Sequence, residues 1–338
     1  MDLQKKVDYA GSLGEISGEQ FDMALQKLNL GNLVKVEKVQ AGVVGQNVFL
    51  TSTKGEYVFR GRPFYDEQFD VEKFAVENLR DKTNVTTAYP YIIDNDTDIF
   101  GFKYSIMPRL SGIQTANGGT IILDLSKDER LKIARAMAEV LAEMHKLKYE
   151  PENYITGTNP FPFAYEYRSS EDYAEFIIGR ITNGIEELPD VKDSDIKYVN
   201  DIIEKNKDAL LVPFEPCFLM GDFKEDNVLF SNNNDEWKVC AVFDFAMSNF
   251  GDCERDLSRI YAMYIGEMDK DASLALEFVN TYVKLNPPRK GFFERLKLYS
   301  LEERKGIWWW AKNRSEGTWW DKNMSLTKWL EPYLNLNF

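Results

Sequence analysis

The 338-residue chain has a single histidine, His145, and three cysteines, Cys217, Cys240 and Cys253. One histidine excludes His-rich metal sites and makes any Ser-His or Cys-His catalytic arrangement depend on that residue. The cysteines contain no C-x-x-C pair, so neither a zinc ribbon nor a redox dithiol is expected, and their odd number argues against a secreted disulfide framework. No stretch approaches the roughly 18–20 apolar residues of a membrane span. The N-terminal MDLQKKVDYAGSLGE lacks the apolar core of a signal peptide, which points to a cytoplasmic protein.

A surplus of basic charge is also missing. Forty-one Lys and Arg face 55 Asp and Glu, a net charge of −14 and a pI near 4.8. A nucleic-acid partner would need a basic face, so none is expected, nor is a membrane partner. The acidic balance suits a cationic small molecule, and it equally serves solubility alone. With 39.2 kDa and 44% hydrophobic residues, the chain can form one large or two ordinary domains.

Hydrophobic patterning divides the chain near residue 107. Ser17 opens a helix with Phe21, Ala24, Leu25 and Leu28 on one face and Gln20 at the capping-box position. Residues 33–39, 48–51 and 57–60 read as an antiparallel meander, 66–82 as a helix, and 89–93 and 100–107 as two further strands. Pro108 interrupts the pattern, and Leu110-Ser111-Gly112 reads as a connector. Helices are then expected over 127–146, 171–186, 193–208, 254–265, 270–285, 291–312 and 325–333, with 149–167 an ordered aromatic loop. The runs 218–220, 228–230 and 239–243 read as strands of a small sheet. The division gives an α+β architecture: a small antiparallel-sheet lobe, 1–107, and a larger, mostly helical lobe, 108–338.

The chemistry concentrates in MGDFKEDNVLF, residues 220–230, and VCAVFDFAMSNFGDCERDL, residues 239–257. One apolar strand delivers Asp222, a turn carries Asn227, and another strand delivers Asp244. A carboxylate at Asp222 suits orienting a hydroxyl and accepting its proton. An amide oxygen at Asn227 and a carboxylate at Asp244 are hard oxygen ligands suited to magnesium. Asp to Asn at a spacing of five matches the catalytic-loop pattern D-x-x-x-x-N of phosphoryl transfer.

On these residues the chain resembles the aminoglycoside phosphotransferase family, the small-molecule kinases of the protein-kinase-like fold. That family carries H-G-D-x-x-x-x-N, an apolar strand ending in Asp, then G-D-x-x-x-D-L. Here these are Gly221-Asp222, Asn227, Asp244, and Gly251-Asp252 through Asp256-Leu257. Weaker matches extend from about residue 33 to 260. The resemblance implies a two-lobed kinase-like fold and ATP- or GTP-dependent phosphorylation of a small-molecule hydroxyl. Asp222 would be the catalytic base, and Asn227 and Asp244 would hold Mg2+. The loop Gly42 to Asn47, with Gly42 and Gly45, would cover the nucleotide phosphates. Arg60 would take the position of the kinase phosphate-binding lysine, with Arg62 its competitor, and Glu72 would pair with it, with Glu77 the alternative. Met107 to Arg109 would form the hinge beside the base of the nucleotide. His145 matches the family's L-x-x-L-H helix and reads as structural.

Two departures stand out. Met220 occupies the place of the family's histidine. Only eleven residues separate Asp244 from Asp256, with no A-P-E segment following, which leaves no room for the activation loop of protein kinases. The expected acceptor is therefore a small molecule: an aminoglycoside-like or other antibiotic, or a metabolite such as choline, homoserine or a sugar-like compound. A catalytically silent nucleotide-binding module is the reading from another class. Asp252 and Asp256 read as structural helix-start carboxylates. Trp308, Trp309, Trp310, Trp319, Trp320 and Trp329 read as helix packing, with an acceptor pocket the competing reading. The same choice stands for Phe161 to Tyr167.

Overall fold

The structure is a computed structural model, which describes residues 3–39, 45–117, 120–150, 169–267, 270–313 and 323–334. Gly42, the segment Phe161 to Tyr167, Trp319 and Trp320 lie outside the described residues, as does the side chain of Trp310.

A hairpin of β1 (Lys6–Asp8) and β2 (Glu15–Ser17) leads into α1 (Gly18–Lys27). Ser17 and Gln20 form the reciprocal capping box predicted from sequence. The main sheet comprises β3 (Leu33–Lys38), β4 (Asn47–Ser52), β5 (Gly55–Gly61), β6 (Ile92–Asp94) and β7 (Tyr104–Pro108), in the antiparallel order β3-β4-β5-β7-β6. Strand β4 alternates: Val48 and Leu50 are buried on one face. Phe21 of α1 meets Phe59 edge-on at 5.1 Å, and Phe100 and Tyr104 complete this aromatic cluster. The strand expected over 100–107 starts only at Tyr104, because Phe100 and Phe102 turn their rings into that cluster instead of joining the ladder. Pro108, the expected interruption, is the last residue of β7 and pairs with Tyr57.

Helix α2 (Gln68–Lys82) follows β5 and buries Phe69, Glu72, Ala75, Val76 and Leu79. Its apolar side shares a core with α3 (Lys127–Met144), whose Ile133, Ala134, Met137, Ala138, Leu141 and Met144 are buried. Two-residue strands β8 (Ala116–Asn117) and β9 (Thr120–Ile121) precede α3. Next come α4 (Ser170–Thr182) and α5 (Asp193–Asn206), then β10 (Cys217–Leu219), β11 (Val228–Asn233), β12 (Glu236–Val242) and β13 (Asn249–Gly251). The three predicted strands do not share one sheet. β11 pairs with β12, whereas β10 pairs with β13, a short run the sequence did not reveal. Asn234 and Asp235 both take positive φ, the requirement of a two-residue type I′ turn, so the β11–β12 hairpin extends beyond its apolar residues.

Helices α6 (Leu257–Ala262), α7 (Ala272–Leu285), α8 (Phe292–Asn313) and α9 (Leu326–Leu334) close the chain. The helix expected over 254–265 is composite. It opens as a 3-10 turn at Cys253–Asp256 and widens into a π turn at Met263–Glu267, where Gly266 admits the Tyr333 hydroxyl. Trp308 and Trp329 are buried between α4, α5, α8 and α9, and their indole N–H groups donate to Pro189 and Arg304 carbonyls. For these two the packing reading holds, while Trp309 is exposed. Among the described residues no helix is long and apolar enough to cross a membrane.

Candidate active site

The site is assembled where β5, α2 and the ends of β10 and β12 converge. Arg60 projects from β5 into a buried position. Its Nη1 donates to Glu72 Oε1 at 2.6 Å and to Asp244 Oδ1 at 3.2 Å, and its Nε donates to Asn47 Oδ1 at 2.9 Å. Glu72 also accepts from Gln68 Nε2 at 2.7 Å and from the Tyr91 hydroxyl at 2.8 Å. Arg62, the competitor, is exposed, has φ of 56° and lies 5.3 Å from the Phe102 ring. Arg60, not Arg62, therefore reaches α2, and Glu72, not Glu77, receives it. Gln68 and Tyr91 are partners that the sequence reading missed. Their signal was weak, since neutral polar side chains carry no pattern until the fold places them around a charge.

Burial opposes the charge on the Arg60 guanidinium, but Glu72 and Asp244 outweigh it and hold the group firmly protonated. Burial pushes the Asp244 carboxyl up, yet Arg60, with Lys224 and the Ala246 N–H, holds it below the usual carboxylate range. Burial wins at Glu72, whose carboxyl is raised despite Arg60 beside it. The two carboxylates thus share one guanidinium unequally. Glu72 is buried, whereas the Asp244 side chain keeps 38% of its surface open. Asp244 also has φ of 69°, a left-handed conformation uncommon for a non-glycine residue.

Asp222 follows β10 at the end of a tightly held turn. Gly221 before it has φ of 77°, and a Cβ there would lie 2.4 Å from the Met247 carbonyl oxygen. The Met220 and Gly221 N–H groups donate to the two carboxylate oxygens of Asp256 at 2.6 and 2.9 Å. Met220, in the histidine's place, is wholly buried in the core. Asn227 Nδ2 donates to the Asp222 carbonyl at 2.9 Å and to Asp222 Oδ2 at 3.2 Å. Lys224 Nζ lies 2.7 Å from Asp222 Oδ2, and Arg259 Nε of α6 lies 3.6 Å from Oδ1. These two cations are further neighbours missed from sequence. Lys224 lies two residues beyond Asp222, but Arg259 comes from another element. The Phe243 N–H donates to the Asn227 carbonyl at 3.0 Å, which ties the turn to the strand end that carries Asp244.

Glu225 shows how the turn is anchored. It is completely buried and receives both terminal nitrogens of Arg130 at 2.8 and 2.9 Å, the Thr115 hydroxyl at 2.8 Å and the Tyr264 hydroxyl at 2.9 Å. Asp252, expected to be structural, accepts from the Glu254 N–H and the Tyr299 hydroxyl and pairs with Arg289.

The remaining predicted positions lie along the sheet. Gly45 has φ of 63°, and its carbonyl accepts from the Ser12 hydroxyl at 2.5 Å. Met107 is buried in β7 opposite Val58. The Arg109 N–H donates to the Glu56 carbonyl at 3.0 Å, and its guanidinium lies 3.9 Å from the Phe49 ring centroid. His145 is buried, with Nδ1 2.7 Å from the Tyr282 hydroxyl and Nε2 3.6 Å from Oδ2 of Asp256, the carboxylate that holds the turn before Asp222.

The arrangement is a partly exposed carboxylate, Asp222, beside two cations, and a second, Asp244, pinned by a buried arginine. A family model described as "Phosphotransferase enzyme family" matches residues 35–293. The chain belongs to that family. The α+β, two-lobed kinase-like fold predicted from sequence is the one its solved relatives share. A structure from Ralstonia eutropha JMP134, described as a candidate aminoglycoside phosphotransferase, matches with a TM-score of 0.63 at 18% identity, covering 94% of each chain. The GDP complex of aminoglycoside 2'-phosphotransferase-IIIa matches with a TM-score of 0.61 at 14% identity, covering 93% of this chain and 96% of that one. In sequence, the Mus musculus acyl-CoA dehydrogenase family member 11 is 22% identical over 244 residues, 69% of this chain. The phosphotransferase chain spans only 28% of that relative's length.

Proposed function

We propose that this phosphotransferase moves the γ-phosphoryl group of ATP or GTP to a hydroxyl of a small molecule, with the nucleotide held by residues 1–107 and the acceptor by 108–338. The observation that carries the reading is the convergence of Arg60, Glu72 and Asp244, with one guanidinium joining the sheet to the carboxylate at the end of β12. Arg60 steadies the nucleotide phosphates, and Glu72 and Asn47 aim it. Gly42 and Gly45 allow the backbone to approach the phosphates, and Met107 and Arg109 flank the nucleotide base. Asp222 orients the acceptor hydroxyl and takes its proton as the oxygen attacks.

The donor set fits a hard divalent cation. Asn227 commits its Nδ2 to Asp222 and so keeps its amide oxygen for a metal, and Asp244 keeps open surface beyond its contact with Arg60. Mg2+ held by Asn227 and Asp244 would neutralise phosphate charge.

An aminoglycoside-like acceptor, possible within a chain of net charge −14, is the first reading, supported by the names of the structural relatives. Lys224, 2.7 Å from Asp222, favours a second: a neutral or anionic metabolite, since a polycation would meet its ammonium at the reacting hydroxyl, whereas Arg259 is paired with Glu303 at 2.9 Å. The test is phosphoryl transfer from ATP and GTP, with Mg2+, to parallel panels of aminoglycosides and of hydroxylated carboxylates and phosphates. Phosphorylation of a member of either panel, abolished by Asp222→Ala, supports the proposal and selects the acceptor class. Nucleotide binding without transfer to any acceptor identifies the silent module instead.

A further inference from the structure

The spacing of the cysteines gives no metal motif, yet the fold brings two of them to the single histidine. A ring nitrogen of His145 and the sulfurs of Cys217 and Cys253 all lie within 4.8 Å of one another, the one such histidine–cysteine–carboxylate group of three among the described residues. His145 ends α3, Cys217 opens β10 and Cys253 follows β13, so three separate elements meet here. We propose that His145, Cys217 and Cys253 form a binding site for a thiophilic divalent d10 cation of the zinc type, separate from the oxygen ligands beside Asp222.

The hydrogen bonds prepare the ligands. Asn286 Nδ2 donates to the Tyr282 hydroxyl at 2.6 Å and to Cys253 Sγ at 3.5 Å. Tyr282 is also hydrogen-bonded to the Cys253 sulfur and lies 2.7 Å from His145 Nδ1. With the tyrosine proton on the sulfur, the hydroxyl accepts from Nδ1–H. That tautomer places the lone pair on Nε2, a buried nitrogen that makes no hydrogen bond and lies 3.6 Å from Asp256 Oδ2. A metal-bound histidine ordinarily donates its other ring N–H to an outer acceptor in this way.

Charge and size also fit. Cys217 is completely buried, and His145 nearly so, so a charge placed here must be compensated. Two thiolates, a neutral imidazole and a divalent cation sum to zero, and the adjacent Asp256 carboxylate is already compensated by two backbone N–H groups. Zinc–sulfur bonds of about 2.3 Å and zinc–nitrogen bonds of about 2.0 Å place ligands of one ion roughly 3.5–4 Å apart, so three atoms already this close need shift by only about an ångström. Cys253 is half-buried, which leaves the ion a route from solvent.

Cobalt(II) titration of the reduced, nucleotide-free chain tests the site. Expected are one cobalt per chain, thiolate-to-cobalt charge-transfer absorption, and displacement by zinc. Cys253→Ser should weaken cobalt binding at least about tenfold and diminish the charge-transfer band, and Tyr282→Phe should weaken it by about 10–100-fold. Cys240→Ser, which alters the cysteine outside the cluster, should change neither. The proposal is overturned if no thiolate band appears at saturating cobalt, or if a folded Cys253→Ser chain, checked by circular dichroism, binds cobalt as the unmodified chain does.

Discussion

Two of the buried arginine–glutamate pairs in this phosphotransferase, Arg130–Glu225 and Arg60–Glu72, are completed differently. Around Glu225 every partner is internal: Arg130 grips both oxygens, and Thr115 and Tyr264 add two more donors. Around Arg60 the circle is left open, because its second carboxylate, Asp244, keeps 38% of its surface exposed. A closed pair can only hold the fold, whereas an open one can receive a ligand without unburying its partners. The difference separates two arginines that look alike in sequence and in burial.

The comparison is sharpened first at Asp222, which stands outside both pairs and is 30% exposed. Asp222→Asn should lower kcat by about 10²–10⁴ while the urea midpoint stays nearly constant. A large midpoint shift would make Asp222 a structural residue. Arg130→Ala should do the reverse, costing about 3–5 kcal/mol of stability by stranding a buried Glu225. Chemical denaturation measures this, and an unchanged midpoint would remove the contrast between the pairs. Arg60→Lys keeps the charge but loses the fork that reaches Asn47, Glu72 and Asp244 together. It should raise the KM for nucleotide on the order of tenfold, about 1.4 kcal/mol, with a smaller change in acceptor KM. Equal changes in both would argue against a role at the phosphates.

The smallest effect belongs to a carboxylate outside both pairs. Burial pushes the Glu143 carboxyl up slightly, but Lys146 and Asn84 hold it below its ordinary value. A lowered folded-state pKa contributes stability that is complete above the ordinary carboxylate range and is lost as the pH falls through the lowered value. Glu143→Gln should therefore cost up to about 1 kcal/mol near neutrality, and the gap from the parent chain should close under acid conditions. Thermal melts from pH 7 to pH 3, which are order-of-magnitude carboxylate limits, read the difference. A gap that widens toward acid would reverse the assigned sign.

How much of this was legible in the sequence depended on distance along the chain. Asp222, Asn227 and Asp244 occupy 23 consecutive positions of one strand–turn–strand stretch, so spacing alone brought them together on the page. The α1 capping box was legible for the same reason. Arg130 and Glu225 are 95 residues apart, and nothing in either segment marks an ion pair that exists only after α3 packs against the turn. The β1–β2 hairpin was missed because its three-residue strands carry no sustained alternation. The β10–β13 pairing was missed because Asn249–Gly251 holds a single large apolar residue, Phe250, and so makes no apolar run. The cysteines show the same limit: their spacing excluded a local motif but not a meeting in space.

Asp256 has one more consequence. Both of its carboxylate oxygens hold backbone N–H groups, those of Met220 and Gly221, and a backbone N–H is supplied by every residue except proline. The position of Asp222 is thus encoded 34 residues downstream of it, not in the side chain at 220. The working aspartate therefore keeps its position with methionine at 220, whereas Gly221 and Asp256 carry the geometry.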